Sequence, residues 1–172
     1  MVIQNADLAI VVADPKTRMS EIADMAKAMG GFVVSSNLYT TYYGANSAEA
    51  PEATITIRVP QEKLDEALKA IKDGAVKVNY ENRASDDITS VYVDLQSQLK
   101  AKQAAEKKLL EILDAADETE DVLAVYTQLQ IIQSEIEVLK GQIKYYDESV
   151  ALSAVSARLI AEETVQPVEI GG

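Results

Sequence analysis

Carboxylates are the side chains of this chain best suited to chemistry, and they are densest at residues 111–121. Carboxylate oxygens are the ligands that Ca²⁺ prefers, but this group lacks the ligand spacing and the central glycine of an EF-hand loop. Acidic side chains are also favoured in the first turn of a helix. We therefore expect a solvated acidic turn and no metal site here. The six carboxylates concerned are Glu111, Asp114, Asp117, Glu118, Glu120 and Asp121.

Asp86 and Asp87 form a second candidate pair of carboxylates. Adjacent residues of a helix do not face each other, so the two carboxyl groups are not expected to share a proton. One of them instead suits the N-cap of the long helix that follows. The pair is therefore interpreted as a helix start.

The remaining residues offer little to a nucleophile or a cofactor. The chain has no Cys and no His, which excludes thiolate nucleophiles, imidazole-dependent triads and Cys/His zinc sites. Gly30-Gly31 lacks the G-x-G-x-x-G pattern and the Walker lysine of phosphate-binding loops. We expect no catalytic, cofactor-binding or metal-binding residue, no cofactor, and a protein that is not an enzyme.

A tyrosine cluster is the candidate for recognition. Tyr39, Tyr42 and Tyr43 lie in one short segment, FVVSSNLYTTYYG. Tyrosine suits interaction surfaces because its ring is apolar and its hydroxyl is polar. The alternative is that these residues reflect β-propensity and partial burial, and the sequence leaves both interpretations open.

Composition limits the partners. The formal net charge is −12, which disfavours nucleic acid and anionic lipid headgroups because both are negatively charged. No apolar run reaches the roughly 18 residues that span a bilayer. We expect a protein partner or self-association, no nucleic acid, and membrane attachment only through segments absent from this chain.

The elements that must position these residues follow an α+β pattern. Residues 1–85 alternate as βαββαβ, which predicts a ferredoxin-like antiparallel sheet with two helices on one side. Asp14-Pro15 and Pro60 begin the helices, and Gly30-Gly31 and Gly74 end them. Residues 44–52 are interpreted as a loop. In the fourth strand, an inward row is expected at Val76, Val78 and Tyr80.

In residues 86–147 the spacing of the apolar residues changes to that of an α-helix. Apolar side chains in the second half of this range recur at alternating spacings of three and four, which is a heptad seam. Because a short polar connection joins two helices of similar length, we expect an antiparallel helical hairpin, a coiled coil within one chain. A final strand at 148–162 is expected beside the fourth strand, followed by a flexible tail at 163–172. The seam consists of Val122, Val125, Leu129, Ile132, Ile136, Leu139, Ile143 and Tyr146.

Several motifs resemble the bacterial DUF4349 family. They include the run from Asp86 to Thr89, the run from Tyr92 to Leu95, the acidic hinge near 117–121 and the strand after Tyr145-Tyr146. The resemblance covers about residues 3–161. It implies a lipoprotein or a membrane-anchored envelope protein, with an export signal and often a C-terminal transmembrane helix. It implies no catalytic residue.

Together these observations predict a non-enzymatic extracytoplasmic domain of a membrane-anchored bacterial envelope protein. It would act as a scaffold, a sensor or a protein-interaction module, and this chain would be an excerpt of the exported protein. The alternative is a cytoplasmic oligomerisation module that dimerises through the helical hairpin.

Overall fold

The computed structural model describes residues 1–43 and 48–162, with the backbone alone at Tyr43 and Ala48. The chain divides into two units. A sheet unit contains the described residues of 3–86 and 149–162, and a helical unit contains Met1–Val2 and Asp87–Glu148. The expected tail at 163–172 lies outside the described residues.

The sheet unit is a mixed α+β structure, as the sequence predicts at that level. Its five strands are ordered β2-β3-β5-β1-β4. β3 pairs antiparallel with β2 and with β5, whereas β1 pairs parallel with β5. A 3-10 turn at Gln61–Lys63 precedes α2. The elements are β1 (Val2–Val12), α1 (Pro15–Ala28), β2 (Phe32–Tyr43), β3 (Ala48–Pro60), α2 (Leu64–Asp73), β4 (Lys77–Asp87) and β5 (Leu152–Ala161).

The position of the last strand corrects the sequence-based expectation. A simple ferredoxin-like sheet would place β1 against β3, and we expected β5 beside β4. Instead β5 lies between β3 and β1 and bonds to both. Its core-facing row is buried throughout, and the small side chains of Ser153, Ala157 and Ala161 fit this central position. A strand paired on both edges satisfies its backbone groups better than an edge strand does.

One hydrophobic cluster holds the unit together. It joins one face of β1, β3 and β5 to α1 and α2. The alternation of each strand supplies this face, for example Leu8 and Ile10 in β1 and Ile55 and Ile57 in β3. Ile71 of α2 is also fully buried. The expectation of two helices on one face of the sheet therefore agrees with the packing.

The orientation of β4 also differs from the expectation. Val76, Val78 and Tyr80 are 62%, 39% and 45% exposed, so they form no buried row. The alternate row bonds to α2 instead: Glu81 pairs with Lys72 at 2.8 Å, and Arg83 pairs with Asp65. β4 is an edge strand, and these ion pairs lie on the face that it turns towards the helix.

β3 begins earlier than the sequence indicated. It includes residues 48–52, which we interpreted as loop. Pro51 has no N–H group to donate, and the position tolerates it because pairing with β5 begins only at Glu52. Glu52 is therefore a strand residue and is 3% exposed.

The ends of α1 match the predicted signals. The Asp14 carboxylate accepts hydrogen bonds from the backbone N–H groups of Lys16 and Thr17 at 3.1 and 3.4 Å. At the other end, Gly30 has φ = 89°, the left-handed region that glycine favours. The N–H groups of Gly30 and Gly31 donate to the carbonyls of Lys27 and Ala26, which completes a Schellman motif.

The helical unit contains α3 (Thr89–Ala115) and most of α4 (Thr119–Ala151). All eight seam residues of α4 are buried or half-buried, and Leu129, Ile136 and Leu139 are 5%, 3% and 7% exposed. The two helices contact each other through side chains. The Tyr92 hydroxyl donates to Asp147 at 2.6 Å.

The start of α3 uses Asp87 differently from the expected cap. The N-cap residue is Ile88, one position later than expected, and it makes no side-chain cap bond. The Asp87 carboxylate accepts hydrogen bonds from the Thr89 hydroxyl at 2.6 Å and from the Thr89 N–H at 3.0 Å. These bonds, led by the hydroxyl, lower the pKa of the Asp87 carboxyl.

Candidate interaction surfaces

The structure separates two of the candidate tyrosines. Tyr39 is half-buried and lies directly opposite Glu52 in the β2–β3 ladder, whereas Tyr42 is 65% exposed. Because they are three residues apart on a regularly paired strand, their side chains lie on opposite faces. The side chain of Tyr43 lies outside the described part of the chain. A shared recognition surface at these residues stays a prediction.

Tyr39 belongs instead to a three-residue polar cluster across β2, β3 and β5. The Arg158 guanidinium donates through Nε and Nη2 to Glu52 Oε1, at 3.2 and 2.9 Å. The Tyr39 hydroxyl is hydrogen-bonded to the Glu52 carboxylate. Glu52 is almost fully buried, while the side chain of Arg158 is 51% exposed. The cluster therefore satisfies a buried carboxylate from two sides and presents a fixed cation to solvent.

The electrostatics of this cluster favour binding or positioning over proton transfer. The hydrogen bond to Glu52, together with partial burial, raises the pKa of Tyr39 above its ordinary value. The hydrogen bond from Arg158 to Glu52 likewise raises the pKa of the guanidinium. Both donors thus keep their protons at neutral pH, so neither suits the role of a general base there.

Sequence reasoning missed this cluster because Glu52 was placed in a loop. Its partner Arg158 lies 106 residues further along the chain, and no local pattern connects the two. The signal that could have revealed it was Glu52, a single charged residue immediately before the regular alternation of β3.

The pKa of Tyr39 gives a testable pH dependence. A raised folded-state pKa means that the folded protein holds this proton more tightly than the unfolded chain does. The resulting stability is complete below the unfolded pKa of about 10 and is lost as the pH rises through the folded value. We expect ultraviolet titration to show two late tyrosine ionisations, one from Tyr39 and one from Tyr92, because the hydrogen bond from the Tyr92 hydroxyl to Asp147 raises the pKa of Tyr92 as well.

Glu52→Gln provides the matched variant, since it removes the charge that holds the phenol protonated. In this variant the ionisation of Tyr39 should move to lower pH, and Tyr39→Phe should remove one of the two late ionisations and leave that of Tyr92. If two late ionisations persist in Tyr39→Phe, the second one belongs to a residue other than Tyr39.

Two further polar contacts lie on the same sheet face. The Thr56 and Ser156 hydroxyls lie 3.0 Å apart, within hydrogen-bond distance, and Arg58 Nη1 donates to the carbonyl of Leu152 at 3.0 Å. Thr56 and Ser156 are directly opposite each other in the β3–β5 ladder. These polar groups are therefore bonded within the chain.

The helical unit carries a regular row of exposed apolar side chains. On α4, Ile131, Val138 and Tyr145 are 48%, 59% and 61% exposed. Beside Val138 and Tyr145, a groove of about 480 Å³ lies between α4 and α3, with Val91 and Leu95 on its other wall. Large exposed aliphatic and aromatic groups in register are typical of protein-interaction sites.

The acidic turn shows no arrangement for a metal. Among the residues that the structure describes, no group of three or more carboxylate, His or Cys side chains is placed to hold an ion. Glu120 and Asp121 lie in the first turn of α4, where their charges favour the helix N-terminus.

None of the helices in the described ranges combines the length and the apolarity that crossing a membrane requires. No curated protein matches the chain, and no solved structure matches it. A family model described as a domain of unknown function, DUF4349, matches residues 1–171. The match includes the run from Asp86 to Leu95 and both helices of the helical unit. This chain therefore belongs to the DUF4349 family.

Proposed function

We propose that the chain is a non-enzymatic extracytoplasmic domain of a membrane-anchored bacterial envelope protein, and that it works as a protein-interaction module. The observation that carries the interaction role is the exposed apolar row Ile131, Val138 and Tyr145. The chain has a net charge of −12, so charged residues are available to cover a solvated helix face. None of them lies in this row. The resemblance of the motifs to envelope proteins supports the location.

Within this proposal α3 and α4 form an antiparallel helical hairpin. Two contacts support it. Tyr92, near the start of α3, bonds to Asp147, near the end of α4, and Lys102 pairs with Glu135 at 2.5 Å. Both contacts match antiparallel helices joined by a short turn. The Lys102 stem can cover the seam while its ammonium group reaches Glu135.

The location is tested in cells that produce the complete native protein. We expect an export signal or an apolar stretch of about 20 residues in the complete reading frame. In spheroplasts, added protease should digest the domain while a cytoplasmic marker stays intact. Protection of the domain to the same degree as the marker would contradict the location and favour the cytoplasmic oligomerisation module.

The chain alone should not bind membranes, because its net charge opposes anionic headgroups. Flotation with anionic lipid vesicles should leave the chain in the unbound fraction. Salt-sensitive flotation of the isolated chain would show that the domain itself contacts lipid and that the proposed attachment through other segments is wrong.

A further inference from the structure

We propose that the chain self-associates through a second face of α4, against which the same helix of a second copy packs in the antiparallel direction. This inference rests on the proposed interaction role and names its partner. The face, here called the outer strip, consists of Thr127, Ile131, Ser134, Val138, Gly141 and Tyr145. It turns away from the buried seam of α4.

The outer strip has the period of a helix-pairing seam. Ile131, Val138 and Tyr145 recur at intervals of seven residues, and a short or absent side chain stands four residues before each of them. A heptad repeat of this kind keeps one face of a helix turned towards a partner helix. From Thr127 to Tyr145 the strip is about 27 Å long at 1.5 Å per residue.

The strip is complementary to itself in the antiparallel direction. When two copies are aligned so that Ile131 faces Gly141 of the second copy, Val138 faces Ser134 and Tyr145 faces Thr127. Each layer then combines one large side chain with one small one, so the two helices can approach closely. A two-fold axis generates every contact twice, which is the usual geometry of a homodimer.

The charges of α4 also favour a second copy over an acidic or basic partner. No residue of the outer strip is charged. Glu135 and Glu137, which flank it, are already paired with Lys102 and Lys140 at 2.5 and 3.9 Å. Two chains of net charge −12 repel each other at long range, and an uncharged contact surface adds no further repulsion to this.

Gly141 and the groove beside it leave space for side chains of the second copy. A Cβ atom at Gly141 would meet no atom of the chain within 4 Å, so intrachain packing does not require glycine there. The Ile131 side chain of a second copy would approach at this position. The groove of about 480 Å³ next to it can take side chains from the partner helix.

The test is sedimentation equilibrium of the whole chain over a range of concentrations. We expect a monomer–dimer equilibrium that strengthens as salt is added, because salt screens the repulsion between the two acidic chains. Val138→Lys should weaken the dimer at least about tenfold, with an unchanged circular dichroism spectrum, because Val138 is 59% exposed in the single chain.

Tyr126→Lys is the matched control. Tyr126 is 52% exposed on the same helix but lies off the outer strip, and the substitution changes the net charge equally. Its dimer should keep the affinity of the unchanged chain. An equal loss of dimer affinity in both variants would overturn the proposal. A dimer whose affinity Val138→Lys leaves unchanged would also overturn it.

Cysteine crosslinking tests the direction of packing, since the chain contains no cysteine of its own. A mixture of Ser134→Cys and Val138→Cys chains should form more disulfide-linked dimer than either variant alone. Preferential dimers of Val138→Cys alone would indicate parallel packing and contradict the inference.

The outcomes separate this inference from the proposed function. A chain that stays monomeric at all concentrations overturns self-association, and protease digestion in spheroplasts would still support the envelope location. A dimer with the expected sensitivities supports the outer strip even if the protein is found in the cytoplasm.

Discussion

Ile136→Asp is expected to abolish most of the helical structure of residues 87–148. Ile136 is 3% exposed in the seam of α4, so the new carboxylate would be buried without a partner. The cost is about 3–5 kcal/mol, the range found when an uncompensated charge is left in a protein interior. Long helices of this kind are marginal in water without an apolar face to bury.

Circular dichroism measures this loss directly, since α3 and α4 are 27 and 33 residues long and α1 and α2 only 14 and 10. Gln133→Asp is the control, because Gln133 is exposed on the same helix. It should leave the spectrum unchanged. If Ile136→Asp kept full helicity and only lost a dimer in light scattering, the seam would be an interface between chains.

Gly31→Ala is expected to destabilise the sheet unit by about 3 kcal/mol or more, at the upper end of overpacking effects. An added Cβ would lie 1.9 Å from the carbonyl oxygen of Arg58 and 3.0 Å from Cα of Val59. Both atoms are backbone atoms of β3, so no side-chain rotation relieves the overlap. β2 and β3 would have to separate where Phe32 pairs with Arg58.

Urea denaturation should show this change as a lower midpoint. Gly141→Ala is the matched substitution, because its Cβ would meet nothing within 4 Å. In a helix interior it should stabilise the dilute chain by about 0.5–1 kcal/mol. A Gly31→Ala protein as stable as the unchanged chain would show that β3 shifts easily and that the close approach is not a constraint.

The sequence anticipated features whose causes lie within a few residues. The seam from Val122 to Tyr146 follows from spacing alone, and all eight of its members are buried or half-buried. Asp14-Pro15 and Gly30-Gly31 mark the ends of α1 because capping depends on neighbouring side chains and dihedral angles. The sequence drew attention to Tyr39 and Tyr42 as candidates for recognition. It did not show that their side chains lie on opposite faces of the sheet, because that depends on strand pairing.

Tertiary structure decided which strand is central, which face of β4 meets a helix, and what surrounds Glu52. Alternation shows which residues share a face, but it does not show which face is covered or which edge is paired. β5 reaches its place between β3 and β1 through bonds to residues about 100 and 150 positions earlier in the chain. The Glu52–Arg158 pair depends on the same long-range pairing. Local patterns therefore determined the helices and the faces of most strands, whereas the order of the strands and the buried carboxylate arose only when distant segments came together.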